Sequence, residues 1–326
     1  MSTPVETEAY DPALVPKPFG LNNTGAICHQ NALLQALVGL SAVVRATATN
    51  REYLSKTPTG RAFYDFMWEA VPASREPGSA PFRGGTPLAK RSAELLQALV
   101  EDLRARRPKF SFGHSQEDGS EGLVLLLDMI DDPAPGPKDN PIARLFYHRY
   151  LATVICRKCN GAVSKQTDVA VTFKLFSNQK CVTPAEFSED IRQHLSLLKD
   201  YSCEECGEKG DCYRKYQLQM IPEVMVTMFN IYGRRNVAHY APNQVHFPRH
   251  GGGSLIYRRV AQIEQFGSLA GGHYIARSLR GDGAVYRFDD ASFSSSKLEQ
   301  TPNVYMVFYH STDHPQKTHG SSGGEA

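Results

Sequence analysis

Hydrophobic spacing divides the chain into a helical first half and a strand-rich second half. Leu33, Leu34, Leu37, Val38 and Leu40 recur at helical intervals and predict a helix over 28–40. Leu95, Leu96, Leu99, Val100 and Leu103 make a second stripe, predicting a helix over 91–105. A third carries Leu123, Leu126, Leu127 and Ile130. It is announced by the capping-box-like Ser115-Gln116-Glu117-Asp118 and stopped by the proline-rich segment after Asp132. Beyond about residue 145 the period shortens. Val169, Val171, Phe173 and Leu175 alternate with polar positions, as in a half-buried strand. Val224 to Phe229 and Val304 to Tyr309 are apolar on both faces and predict central strands. A helix-like patch over Pro184 to Leu198 interrupts this half. Residues 1–15 read as a loose lead-in, 70–90 as loop, and the stretch from about 312 as a low-complexity, disordered tail. No repeat or linker divides the chain, so one α+β unit is expected.

Composition narrows the function classes. With 41% hydrophobic and 21% charged residues in 326, this is ordinary globular composition, and the net charge of +2 gives no reason to expect nucleic-acid binding. No apolar run approaches the roughly 20 residues that span a bilayer. The N-terminus lacks the basic and apolar regions of a secretory signal. Seven cysteines are an odd count. Four of them form two CxxC pairs, which favours metal and free thiols over disulfides and predicts an intracellular protein.

Candidate chemistry sits at three places. Cys28 stands where the turn-rich Asn22-Asn23-Thr24-Gly25 gives way to the first helix. A helix N-terminus favours thiolate, the nucleophilic form, although a cysteine beside an apolar helix also serves as a small buried hydrophobe. Cys156-x-x-Cys159 and Cys203-x-x-Cys206 supply four thiolates, enough for one tetrahedral Zn²⁺. The 43 residues between the pairs require longer strands to bring them together. Cys212 is a further thiol near the second pair, able to substitute for a ligand, and Cys181 is expected to be buried. His273 follows Gly271-Gly272 at the start of a strand, where glycine permits close approach of another backbone. Asp289 and Asp290 end the next strand, and adjacent strands would bring such an aspartate beside His273.

Together these segments resemble the ubiquitin-specific proteases, papain-like deubiquitinating cysteine peptidases. Gly20-Leu21, Asn23, Gly25, Cys28, Asn31 and Gln35 are similar to the family's Cys box. Gly272-His273-Tyr274, Ala276, Tyr286, Phe288-Asp289-Asp290, Tyr305 and Val307-Phe308-Tyr309 resemble its His box. Gln116-Glu117-Asp118 with Glu121 resembles a third element, and the CxxC pairs its zinc-bearing fingers. The likeness runs from about Pro18 to Tyr309. It implies a papain-like α+β fold with a helical thumb (about 18–140), a mixed-sheet palm and fingers (about 150–230). It implies Cys28 as nucleophile, His273 as base, Asp289 as its orienter and Asn23 as an oxyanion donor. The implied reaction is thiol-dependent hydrolysis of the isopeptide bond after the C-terminal glycine of ubiquitin or a ubiquitin-like modifier. Its partners are then modifier-conjugated proteins, with no nucleic acid and no membrane. Ile27, His29, Gln30 and Gly122 depart from the family's usual residues and leave open an inactive ubiquitin-binding module of the same fold. A zinc-ribbon nucleic-acid protein is disfavoured by the charge and by the long gap between the pairs.

Overall fold

The computed structural model describes residues 9–23, 25, 27–70, 87–108, 118–131, 139–175, 183–229, 231, 240–248, 254–268 and 271–312. Its helices come first: α1 (Cys28–Val38), α2 (Ser41–Thr49), α3 (Arg51–Leu54), α4 (Pro58–Ala70), α5 (Pro87–Arg106) and α6 (Gly119–Ile130). Every residue of α1 is buried. A helix covered all round belongs to an interior, and α1 packs against α2, α6 and three strands of the larger sheet. Among the described residues no single helix is long and apolar enough to cross a membrane.

The three expected helices are present. The second is longer than its periodicity predicts, beginning at Pro87. The third is capped by Asp118, whose side chain accepts from Ser120 N (2.8 Å) and Glu121 N (3.2 Å). The rest of that capping signal, Ser115 to Glu117, and the proline-rich stop at 132–138 lie outside the described residues, as do 71–86, 1–8 and 313–326. Residues 41–70, given no element by the sequence, form α2, α3 and α4. The α2 segment, SAVVRATAT, is rich in β-branched residues with low helix propensity. It is helical because Ala42, Val43, Val44 and Thr47 are buried in the core, so packing outweighs propensity.

The larger sheet has eight strands. Its order is β11 (Ser292–Ser296), β10 (Val285–Asp289), β9 (Gly271–Leu279), β8 (Ser254–Ser268), β12 (Val304–Ser311), β6 (Val224–Phe229) and β3 (Thr172–Leu175), with β7 (Gln244–Pro248) also pairing with β8. Among the described residues only β3 and β6 run parallel. β12 is buried throughout and β6 nearly so, as their two-sided apolar pattern requires. The smaller sheet is antiparallel, in the order β2 (Ala162–Ala170), β1 (His148–Cys156), β5 (Lys209–Met220) and β4 (Gln193–Ser202). Helical layer, large sheet and projecting small sheet correspond to thumb, palm and fingers. Within 150–230, β3 and β6 belong to the palm sheet.

Two local expectations fail. Val169 to Leu175 is not one strand, because β2 ends at Ala170 and β3 begins at Thr172 in the other sheet. Val169 is therefore exposed while Phe173 is buried. Alternation continues across the break and hides it. Pro184 to Leu198 is not one helix either. A capping box on Thr183 and Glu186 starts α7 (Pro184–Arg192), and the chain then becomes β4.

Two buried histidines tie these layers together. His148 opens β1 and stacks on Phe173 at 3.6 Å between ring centroids. His310 on β12 has Nε2 3.2 Å from Ser41 Oγ and 3.3 Å from Ala42 N. Burial pushes both imidazoles down to about 4. Above the unfolded value near 6.5 neither state binds the proton; between there and about 4 only the unfolded chain does. Stability should therefore fall as pH drops through that window, by roughly 2 kcal/mol per histidine at pH 5. Thermal melts at pH 7 and pH 5 check this. His148→Phe should show the smaller drop, and equal drops in variant and parent would remove His148 from the account.

Candidate active site

Cys28 is the first residue of α1 and is 3% exposed. Ile27 precedes it with no side-chain cap, and the first-turn N–H groups point toward the thiol's end of the helix. The approach loop is pinned to the strand side. Leu21 N donates to Asp290 O at 2.8 Å, and a Cβ on Gly20 would lie 2.1 Å from Ala291 O, so only glycine fits there. Asn23 shapes the turn before Cys28, its Oδ1 accepting from Gly25 N (3.0 Å) and Ile27 N (3.3 Å). That fixes the amide orientation and points Nδ2 at Asp290 Oδ2, 2.9 Å away.

His273 and Asp289 come from neighbouring strands, as expected. β9 and β10 align Ala276 with Phe288, and His273 Nε2 sits 2.6 Å from Asp289 Oδ1. Gly272 is required because a Cβ there would lie 2.2 Å from Phe266 O on β8, so the close backbone approach is to that strand. Arg287 donates to the other oxygen of Asp289 at 2.8 Å. Partial burial opposes the charge on Asp289, but the hydrogen bonds from His273 and Arg287 outweigh it and hold the carboxyl below its usual range.

Asp290 leaves the pleat. Its φ of 50° turns the chain, so strand alternation does not send it to the opposite face. Polar atoms of His273, Asp289 and Asp290 all lie within 4.8 Å of one another. Asp290 accepts from Asn23 on one oxygen and from Asn31 Nδ2 on the other, at 2.8 Å. Asn31 stands one turn after Cys28, and Ser92 Oγ donates to its Oδ1 at 3.2 Å. The two aspartates thus divide their contacts: Asp289 to the imidazole, Asp290 to the helix that carries the thiol.

Sequence reasoning quoted Asn31 and Gln35 but gave them no task; their spacing of three and seven residues from Cys28 was the available signal. Gln35 Nε2 donates to Phe19 O at 2.7 Å. The fully buried Arg280 donates to Gln35 O at 3.1 Å and lies 4.2 Å from the Phe288 ring centre. Burial lowers this guanidinium to about 9. Nothing in the local pattern marked Arg280 or Arg287. His29 and Tyr274 meet edge to face at 6.4 Å, joining the start of α1 to β9. Tyr305 donates to Asp118, tying the palm to the start of α6. Gly122 faces Leu33, where a Cβ would find ordinary contact at 3.8 Å.

The four knuckle cysteines also converge. Their sulfurs lie within 4.8 Å of one another, with Cys156 and Cys206 3.9 Å apart and Cys159 and Cys203 3.8 Å apart, and the cluster can hold a metal ion. β1–β2 and β4–β5 supply the two turns. Asn160 at φ 57° and Gly207 at φ 70° close them, with N–H bonds back to Cys156 O and Cys203 O, both 2.9 Å. The N–H groups of Cys159 and Lys158 pull the Cys156 thiol down to about 6. Cys212 is not part of the four. It is buried beside Cys156 and Cys203, and burial pushes its thiol up. Cys181 lies outside the described residues.

The structure thus sets a cysteine at the start of a buried helix, a His–Asp pair on the sheet that this helix packs against, and a four-cysteine cluster at the turns of the smaller sheet, within a papain-like α+β fold. The family model for ubiquitin carboxyl-terminal hydrolase matches residues 19–309, and the chain belongs to that family. Over 89% of its length it is 24% identical to a probable ubiquitin carboxyl-terminal hydrolase 8 of Schizosaccharomyces pombe, covering 64% of that protein. It is 23% identical to the bovine (Bos taurus) ubiquitin carboxyl-terminal hydrolase 21, covering 91% of this chain and 62% of the other. The chain thus spans less than two thirds of the length of these relatives. In fold it is similar to a chain of the Ubp8 SAGA DUB module solved with ubiquitin aldehyde, with a TM-score of 0.68 and 18% identity over 96% of this chain and 72% of the other.

Proposed function

We propose that this chain is a cysteine peptidase that hydrolyses the isopeptide bond after the C-terminal glycine of ubiquitin or a ubiquitin-like modifier. The observation that carries the reading is the 2.6 Å contact between His273 and Asp289 on strands packed against the helix that begins with Cys28. His273 takes the thiol proton, and the thiolate attacks the carbonyl after the terminal glycine. N–H groups at the start of α1 and the Asn23 amide receive the negative oxygen. An amide NH₂ has two hydrogens, so the bond to Asp290 leaves one for this task. His273 then protonates the leaving lysine amine, and water cleaves the thioester. Asp289, held ionised, keeps the imidazole in place and stabilises its charged form. Solved relatives bound to ubiquitin species support the choice of modifier. A ubiquitin C-terminal electrophilic probe, run beside probes for related modifiers, tests the reading: the adduct should map to Cys28. Ubiquitin binding without any adduct would make the chain a recognition module instead.

Asn23→Ala should lower kcat by on the order of 10²–10³, as loss of an oxyanion donor does elsewhere, with little change in KM. Steady-state hydrolysis of a fluorogenic ubiquitin substrate measures this. A kcat within a few-fold of the parent would leave Asn23 as a turn-former only.

The four-cysteine cluster is assigned to structural Zn²⁺, held by Cys156, Cys159, Cys203 and Cys206. Sulfurs about 2.3 Å from a central zinc form a tetrahedron with edges of about 3.8 Å; the two separations above are 3.9 and 3.8 Å. With all four positions taken by protein, the ion fastens the fingers and joins no step of hydrolysis. Elemental analysis should find about one zinc per chain. Cys159→Ala should lose it and lower Tm while the active-site probe still reacts. Metal-free parent protein, freshly prepared under reduction, would overturn the assignment. Reduced paired thiols of this kind also support placing the protein inside the cell.

A further inference from the structure

Cys156 and Cys212 form a thiol pair that hydrolysis does not use. They are directly opposite in the β1–β5 ladder. A backbone bond runs from Arg157 N to Asp211 O (3.4 Å), one residue beyond the pair on each strand. That pattern marks a non-hydrogen-bonded pair, whose Cα atoms lie about 4.5 Å apart. Disulfides bridge Cα separations of about 4.4–6.8 Å, so the backbone need not move for these two sulfurs to join. Both are part of one buried cluster with Val154 and Cys203. They also line a surface cavity of about 430 Å³ together with Arg157, Lys158, Glu208, Lys209 and Asp211. A small oxidant therefore has a path to them.

We propose that Cys156 and Cys212 are an oxidation site, at which a peroxide closes a cross-strand disulfide and removes one ligand from the four-cysteine cluster. The sulfur of Cys156 attacks one peroxide oxygen, the O–O bond breaks, and a sulfenic acid and one water result. Cys212 sulfur then attacks that sulfenic sulfur, the S–O bond breaks, and its oxygen leaves as a second water with the Cys212 proton. Two sulfurs lose two electrons and the peroxide gains them. Only three thiolates then remain for the metal, so the grip on the knuckles loosens. Because the bond links strands already paired, the sheet survives and a dithiol reductant reverses the change. The part concerning metal rests on the zinc assignment above; the disulfide itself does not.

Hydrogen peroxide treatment of the whole protein tests this, with non-reducing peptide mapping by mass spectrometry and zinc release followed with a chromogenic chelator. The expected result is a crosslinked peptide joining Cys156 to Cys212, zinc release in step with it, and recovery of both on adding dithiothreitol and zinc. Cys212→Ala should purify with the parent's zinc content, give no such peptide and lose reversible release. Cys212 remaining a free thiol, or Cys156 pairing with Cys159, Cys203 or Cys206 instead, would overturn the proposal. If the parent holds no zinc, the zinc assignment falls, and the crosslinked peptide alone still decides for or against the pair.

Discussion

Cys28→Ala should remove hydrolysis of a fluorogenic ubiquitin C-terminal substrate while leaving ubiquitin affinity and Tm near the parent's. Removing the nucleophile of a comparable triad costs on the order of 10⁶ in kcat. The fold should not suffer. The substitution deletes one sulfur at a helix start, alanine is the strongest helix former, and the α1 seat depends on Gln35, Asn31 and Arg280. His273→Ala should cost a similar amount, because the thiolate and the proton for the leaving amine both come from that imidazole. Single-turnover assays with titrated ubiquitin binding separate chemistry from recognition. Measurable turnover in Cys28→Ala above the uncatalysed rate would move the nucleophile elsewhere, and the whole mechanism with it.

What was readable in advance follows from how local each feature is. The helix start at Cys28 was legible because turn chemistry and helical spacing meet at one residue. The four-cysteine cluster was legible because each CxxC turn carries half of it. The His273–Asp289 pair depended on two adjacent strands, which the sequence could order but not align; β9 and β10 supply that register. The failures come from contacts distant in sequence. Ala42, Val43 and Val44 were given no element and are helical because packing against α1 and α4 buries them. Val169 and Phe173 keep one alternation although a sheet change separates them. Arg280 reads as a surface cation near a turn, yet it is buried against Gln35 and Phe288. Asp290, next to Asp289 at the end of one strand, could not be told from it by the pattern alone. Its φ of 50° ends the pleat and hands it a different set of donors.

That division of labour makes the two aspartates separable by experiment. Asp289→Asn should lower turnover by about 10 to 10⁴-fold, the upper figure being that of a serine-protease triad. A thiol needs less help than a hydroxyl, which places the expected loss in the lower half of that range. Asp289 is held ionised by His273 and Arg287. Deleting its charge leaves the imidazolium formed during the reaction without its counter-charge, so the loss should fall on kcat. Asp290→Asn removes no partner of His273. Asparagine tolerates positive φ, so the turn persists. Its single amide oxygen cannot satisfy both Asn23 and Asn31, however, and one of those amides must face another N–H. The Asn23 donor is then no longer held toward the cleft. The ceiling for that loss is the 10²–10³ typical of one oxyanion donor. Comparing kcat for the two variants decides the roles. A nearly normal Asp289→Asn beside a dead Asp290→Asn would reverse them, making Asp290 the residue that orients the base.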